Sequence, residues 1–381
     1  MNVSPRRSAP LLCLLGLAVA ASLQGGATLM PVAAKTTQPR SLSVPMGAPT
    51  SKNPSNPLAS HPWGVYQGLA DPAWGPYLKA TKAQKRLLSR IVSQPKAKFF
   101  GDWIPNNQIA SKVNDYIDNA TGGNSDVLVQ MTLFRMEPWE QEACRRLPTK
   151  SERASYKTFV DHFARAIGNT HAAVVVQPDG PFLRCIPHNS DIPADLLKYA
   201  ARTLTSLPNT SVYLEMGSAD WFRGQIGDAV KMLLQEGVAG VRGFALDTSH
   251  FDSVANQIEF GSRIVKALAG KGAGQKHFVI DTSDNGRPFT GDWFHQRHPY
   301  SVAVGNADPC SSATQTHCVT LGIPPTTDVD SSRWPLTNGQ RSLAAKYVDG
   351  YLWVSRPWLS PQSGPLNMKR ALAEARYTPY Q

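Results

Sequence analysis

Carboxylates stand at the ends of apolar runs in this sequence, and that placement is where its chemistry can be sought. In "AAVVVQPDGPF", residues 172–182, five apolar residues lead into Gln177, Pro178 and Asp179. The same ending recurs. Asp102 ends the run at 97–103, and Glu137, Glu140 and Glu142 follow the run at 127–133. Glu215, Asp247 and Asp281 close the runs at 210–217, 241–247 and 276–282. Only the last run, 350–356, has no carboxylate after it, so six of the seven do. A single acid there can cap the next helix or pair with a cation, but six at one rim suggest acid–base work.

Tryptophans share the rim. Trp103, Trp221, Trp293 and Trp358 come just past run ends, with Trp139 nearby. Core packing is the alternative for each. An indole face stacks on the apolar face of a sugar ring, and acids bind its hydroxyls. Breaking a glycosidic bond then needs a carboxylic acid to protonate the leaving oxygen. No G-x-S-x-G elbow is present, against an α/β-hydrolase-type serine enzyme. No Walker or G-x-G-x-x-G loop occurs, against the usual nucleotide readings.

The elements that must hold these residues are legible. Short apolar runs alternate with amphipathic stretches near 82–93, 107–119, 149–167, 192–206, 224–235 and 254–269. In 149–167, Thr149 and Glu152 form a capping box. Tyr156, Phe159, Val160, Phe163 and Ile167 share one face, and Gly168 stops the helix. Seven strands joined by crossover helices imply a parallel sheet covered on both faces. About 300 residues of such repeats favour closure into a distorted, TIM-like seven-stranded β/α barrel, whose chemistry collects at the strand C-termini.

The ends frame this domain. Residues 1–34 read as a signal-peptide region: two arginines, then the apolar "LLCLLGLAVAASL", too short to span a membrane. Residues 35–57 are rich in Pro, Ser and Thr and read as a linker, leaving 58–381 for the barrel. A secreted or periplasmic location is expected. Four cysteines would then remain, Cys144, Cys185, Cys310 and Cys318, an even number that suggests two disulfides. Sequence does not fix their connectivity; the closeness of Cys310 and Cys318 favours 144–185 with 310–318. No C-x-x-C or H-x-x-x-H spacing suggests a metal, and none is expected, nor is a cofactor. The net charge is +11, with five of those charges before Asp71 and the rest scattered. No basic stripe interleaved with aromatics marks a nucleic-acid surface, and no later segment suits a membrane helix.

These motifs, over roughly residues 57–356, resemble glycoside hydrolase family 6, the inverting cellulases built on a distorted seven-stranded barrel. "VVVQPDG" is similar to the family's "IEPD" strand, which implies Asp179 as the general acid. "VYLEMGSADW" resembles "YLDAGHAGW" and places Glu215 and Trp221 at substrate contacts. "VRGFALDTSHF" resembles "RGLATNVANY" and brings Asp247 and His250 near the groove. "FVIDTSDNGRPFTGDW" resembles "FITDTSRNGKQPTG…W", including Asn285, Gly286 and Trp293. "AKFFGDW" resembles the first strand and implies Asp102 and Trp103 as further contacts.

The departures are as specific. The family has an aspartate directly before a disulfide cysteine, which tunes the acid. Cys144 instead follows Ala143, leaving Glu142, or by a gapless alignment Glu137, for that part. The family histidine after "DAG" is Ser218. The family's last strand runs "WVKPGGE.DG" and carries a lysine and a carboxylate often called the base. "WVSRPWLSPQSG" offers Arg356 for the lysine and no acid between Ser355 and Ala373. The resemblance implies inverting hydrolysis of β-1,4-glucosidic or related β-glucan bonds by a monomer. The alternative is a carbohydrate-binding protein on the same barrel that has lost the base.

Overall fold

The computed structural model describes residues 56–222, 224–299, 302–359 and 363–380. The leader and most of the Pro/Ser/Thr-rich segment lie outside these residues. Asn56, at the end of that segment, is already packed: it is 4% exposed, and its amide donates to the Asp349 carbonyl at 2.6 Å.

Seven strands lie side by side in chain order: β1 (Lys98–Gly101), β2 (Val129–Phe134), β3 (Ala172–Val176), β4 (Thr210–Glu215), β5 (Gly243–Leu246), β6 (His277–Asp281) and β7 (Val348–Leu352). Every neighbouring pair is parallel. Helices Ile109–Thr121, Lys150–Ile167, Ile192–Thr205, Ile226–Gln235, Val254–Gly270 and Asn338–Tyr347 lie in the six crossovers. The sheet curls into the expected seven-stranded parallel α/β barrel, open between β1 and β7. The residue before β1 and the residue after β7 meet across that gap, Ala97 N–H donating to the Trp353 carbonyl at 2.8 Å.

The apolar strands are explained by burial on both faces. In β3, Ala173 and Val175 join the barrel interior, with Tyr213, Ala245 and Val279. Ala172, Val174 and Val176 pack outward in the layer shared with the helices. Leu58 and Trp63, from the segment before β1, also belong to the interior core, at the end where the strands begin. Helix Lys150–Ile167 shows how sequence sets a boundary. Thr149 Oγ1 accepts from Glu152 N–H at 3.2 Å, and Glu152 Oε2 accepts from Thr149 N–H at 2.7 Å.

Some elements differ from the sequence reading. β7 begins at Val348, two residues before the apolar run. Helices Trp74–Lys79, Gly291–His295, Asn338–Tyr347 and Met368–Tyr377 were not expected. Among the described residues no helix is long and apolar enough to cross a membrane. Both disulfides form as favoured: Cys144–Cys185 and Cys310–Cys318.

Candidate active site

A cavity of about 1160 Å³ opens over the C-terminal ends of the strands, and Asp179 lines it. The loop that carries Asp179 is held from four sides. β3 stops at Val176, and Gln177 and Asp179 then take φ of 55° and 66° around Pro178. Non-glycine residues enter that left-handed region at a cost, so the surroundings must hold them there. Gln177 Oε1 accepts from the N–H groups of Arg135 and Met136 at 3.2 and 3.1 Å. Trp139 Nε1 donates to the Pro178 carbonyl at 2.7 Å. Gly180 N–H donates to Glu215 Oε2 at 2.8 Å. A Cβ on Gly180 would sit 2.0 Å from the Glu215 carbonyl oxygen, so only glycine fits. The Cys144–Cys185 disulfide then ties the loop after β2, which carries Glu140, to the loop after β3.

The electrostatics raise Asp179 well above an ordinary aspartate. Burial pushes its carboxyl up to about 6, and the Glu140 carboxylate adds to the rise. A hydrogen bond from Ser249 Oγ at 2.8 Å and the nearby His250 work against it. Glu215 lies beneath, 1% exposed, and burial followed by the Asp179 charge pushes it up to about 8. Its two oxygens accept from Gly180 and Gly217, which restrains that rise. Asp247 is fully buried; burial, then the carboxylates of Asp252, Asp220 and Asp281, hold it well above the usual range. Like charges in a low-dielectric site keep protons on.

A second network holds one wall. His250 Nε2 meets Asp220 Oδ2 at 2.7 Å, and Trp221 Nε1 donates to His250 Nδ1 at 3.2 Å. Gly291 N–H also donates to Asp220 Oδ2, at 2.6 Å. With Nδ1 accepting, the neutral ring must carry its proton on Nε2. Both nitrogens are therefore engaged, and the network orients the Trp221 indole along the cavity. Cations share the lining. Lys98 and Arg356 line the cavity, and Arg356 lies over the Phe99 ring at 4.6 Å. Burial, then Arg356, lowers Lys98 to about 8.

The structure sorts the residues singled out from sequence. It brings Asp179, Trp103, Trp221, His250 and Arg356 to the cavity, together with Glu140. Trp103 is 57% exposed there, a free aromatic face. Glu215, Asp247 and Asn285 sit below the floor, all buried. Glu142 is at the surface, bonded to Arg146 at 2.9 Å, and Glu137 is paired with Arg135 at 2.9 Å. Asp102 is exposed beside Glu137, and burial followed by that neighbour's charge raises its pKa. None of these three is among the described residues lining the cavity.

The tryptophan pattern was read too broadly. Trp358 is 1% exposed and packs on Trp353 in the core, and Trp139 is buried behind the acid loop. Trp293 stacks on His317 at 4.4 Å under Arg297, and it too is not among the described lining residues. An indole buries so much area that core positions compete strongly for it. Asp281 took the structural role open to any strand-end acid, accepting from Ser283, Val354 and Ser355 N–H groups and so joining the ends of β6 and β7. Sequence reasoning missed Ser249, Asp220 and Lys98. The signal for the first two was adjacency, since Ser249 precedes His250 and Asp220 precedes Trp221.

A family model described as glycosyl hydrolases family 6 matches residues 69–334. Endoglucanase A of Cellulomonas fimi is 30% identical over 236 residues, 61% of this chain and 49% of that protein. Endoglucanase 1 of Streptomyces halstedii is 27% identical over 210 residues, 53% of this chain and 62% of that protein. The chain thus spans about half the length of the first relative and 62% of the second. Among solved structures, an endoglucanase of Mycobacterium tuberculosis, in complex with a methyl-cellobiosyl-4-deoxy-4-thio-β-D-cellobioside, superposes with a TM-score of 0.65 at 24% identity. That match covers 85% of this chain and 99% of the other. Cellobiohydrolase II of Humicola insolens, in complex with glucose and cellotetraose, gives 0.56 at 15% identity, covering 78% and 85%. These structures share the fold.

Proposed function

The chain belongs to glycoside hydrolase family 6, and on that premise we propose that it hydrolyses β-1,4-glucosidic or related β-glucan bonds with inversion, Asp179 acting as general acid. The observation that carries this reading is Asp179 itself: a carboxyl pushed up to about 6, aimed into a large cleft beside an aromatic platform. A glucan chain lies in the cleft with sugar faces against Trp221 and Trp103. Asp179 gives its proton to the glycosidic oxygen as the bond to the anomeric carbon breaks. Water enters from the opposite face, and its proton leaves to another carboxylate of the cleft, directly or through water. Among the described residues, Glu140, Asp220 and Asp292 are the other acids that line it. Glu140 has a further part on this reading, as the charge that keeps the proton on Asp179. Residues 303–306 of the long insertion between β6 and β7 form part of the wall, which would shape how a chain enters. Export is part of the reading, supported by the leader pattern and the two disulfides.

A second reading rests on one observation. No acid follows β7 before Glu374, and Glu374 is buried against Arg370. A barrel that kept the cleft and lost its base would bind glucans without cleaving them. A panel of soluble and substituted β-glucans separates the two. Steady release of reducing ends, with the α anomer formed first by NMR, is expected for the inverting hydrolase. Saturable binding with no release over the whole panel would sink the hydrolase and leave the binding protein.

A further inference from the structure

At the other end of the barrel, three residues from distant parts of the chain meet. His61 precedes Trp63, which bridges to Leu128 just before β2. Asp126 lies in the loop leading to that strand, and His171 directly precedes β3. Parallel pairing therefore sets all three at the N-terminal ends of adjacent segments. Their ligand atoms lie within 4.8 Å of one another. His61 Nδ1 is 2.9 Å from Asp126 Oδ1 and 3.0 Å from the Asp126 carbonyl. The His171 ring stacks on His61 with centroids 3.8 Å apart and planes 27° from parallel. A hydrogen bond between His61 and Asp126 accounts for two of the three. It does not account for a second imidazole stacked on the first with a ring nitrogen within 4.8 Å of both other ligand atoms.

We propose that His61, Asp126 and His171 form a binding site for one borderline divalent cation, of which zinc is the type, fastening the segment before β1 to the barrel. The donor set decides the class of ion. Two imidazoles and one carboxylate suit zinc, nickel or copper, whereas magnesium and calcium favour all-oxygen shells. Nitrogen and oxygen ligands lie about 2.0–2.2 Å from zinc, so two of them sharing the ion stand roughly 3 Å apart. The His61–Asp126 pair already has that spacing, and the His171 ring turns out of its stack to close a separation of up to 4.8 Å. Asp126 is 64% exposed in its side chain, so the ion has an open approach and room for water in the remaining positions. The consequence is mechanical. Leu58 and Trp63 fill the barrel interior from below, and Trp63 Nε1 donates to the Leu58 carbonyl at 2.8 Å. Two residues from that tryptophan, the ion would hold this plug to the edges of β2 and β3.

The test uses the tag-free chain stripped with a chelator, titrated with zinc chloride by calorimetry and native mass spectrometry, with magnesium chloride as the comparison. One zinc per chain is expected, with a melting temperature that rises on zinc addition and is unmoved by magnesium. His171→Gln and Asp126→Asn should each weaken zinc binding roughly tenfold or more and abolish the rise. Asp126 is exposed and the change is conservative, so that variant keeps the test valid should His171→Gln not fold. No zinc retained at micromolar concentration would overturn the site, as would equal retention by Asp126→Asn. Zinc bound with no rise in melting temperature would overturn its role as a fastening.

Discussion

The two ends of the barrel bury carboxylates in opposite ways. Where the strands begin, Asp349 is fully buried and fully partnered. Arg242 grips both its oxygens at 2.8 and 2.7 Å, Tyr213 donates at 2.8 Å, and His277 stands 3.4 Å away. Where the strands end, Asp179, Glu215 and Asp247 gather with no such grip, and each is pushed above its ordinary pKa chiefly by burial. A buried carboxylate meets its desolvation cost either with a cation or by keeping its proton. Asp349 takes the first course and Asp179, Glu215 and Asp247 take the second, while Asp220 at the cleft end pairs with His250. Only the second leaves a proton to give.

The largest test of that contrast is Asp179→Asn. It keeps shape and hydrogen bonding but removes the acid. On the proposed reading, hydrolysis of an unactivated glucan should fall by roughly 10²–10⁴-fold. Substrates with a leaving group that needs no proton should lose far less. Stability should move the other way. Asp179 has a folded pKa of about 6, above its unfolded value, so wild-type stability is lost as pH rises from about 4 through about 6. The asparagine variant escapes that loss and should melt no lower than wild type at pH 8. An equal loss on both classes of substrate would make Asp179 structural.

Arg242→Met breaks the paired end. It leaves Asp349 buried without its main cation, at a cost of about 3–5 kcal/mol, toward the lower figure because the arginine is 21% exposed in its side chain. A urea melt measures it. Activity per folded molecule should be unchanged, since the pair lies a strand's length from the cleft. A variant that melts normally would show that the paired end is not held by its charges.

Most of the barrel, but less of this contrast, was legible in the sequence. Period and capping gave six helices and seven strands, because each signal lies within one stretch of chain. Helix Asn338–Tyr347 was missed, although Thr337 and Gln340 form a capping box, because its buried face holds only Ala344 and Tyr347. Asp179 was legible from its strand and its family resemblance. What surrounds it was not. Ser249 reaches it from 70 residues away, and the Asp349–Arg242 grip spans 107. The metal-ligand spacings sought in the sequence had the same limit, since His61 and Asp126 are 65 residues apart. Such pairs are set by which strands the barrel makes neighbours, and no local pattern encodes them.

The smallest expected effect is the sharpest test of what tunes the acid. Family resemblance pointed to Glu142 or Glu137, while the structure sets Glu140 at the cleft and has its charge raise Asp179. Glu140→Gln removes one negative charge near a group that must be protonated to act. Its ionised form then becomes easier to reach, so the pKa of Asp179 falls. The alkaline limb of the activity profile, near pH 6 in the wild type, should move to lower pH by some tenths of a unit to about one unit. Activity should therefore drop most at pH 7 and little at pH 5. Glu140 is exposed, so added salt should screen its charge and shrink the difference between the two proteins. Glu142→Gln and Glu137→Gln should leave the limb in place, because Arg146 and Arg135 already pair with those side chains. A limb that moves with Glu142→Gln and not with Glu140→Gln would return the tuning role to the residue beside the disulfide. It would also mean that the loop after β2 closes differently when a glucan is bound.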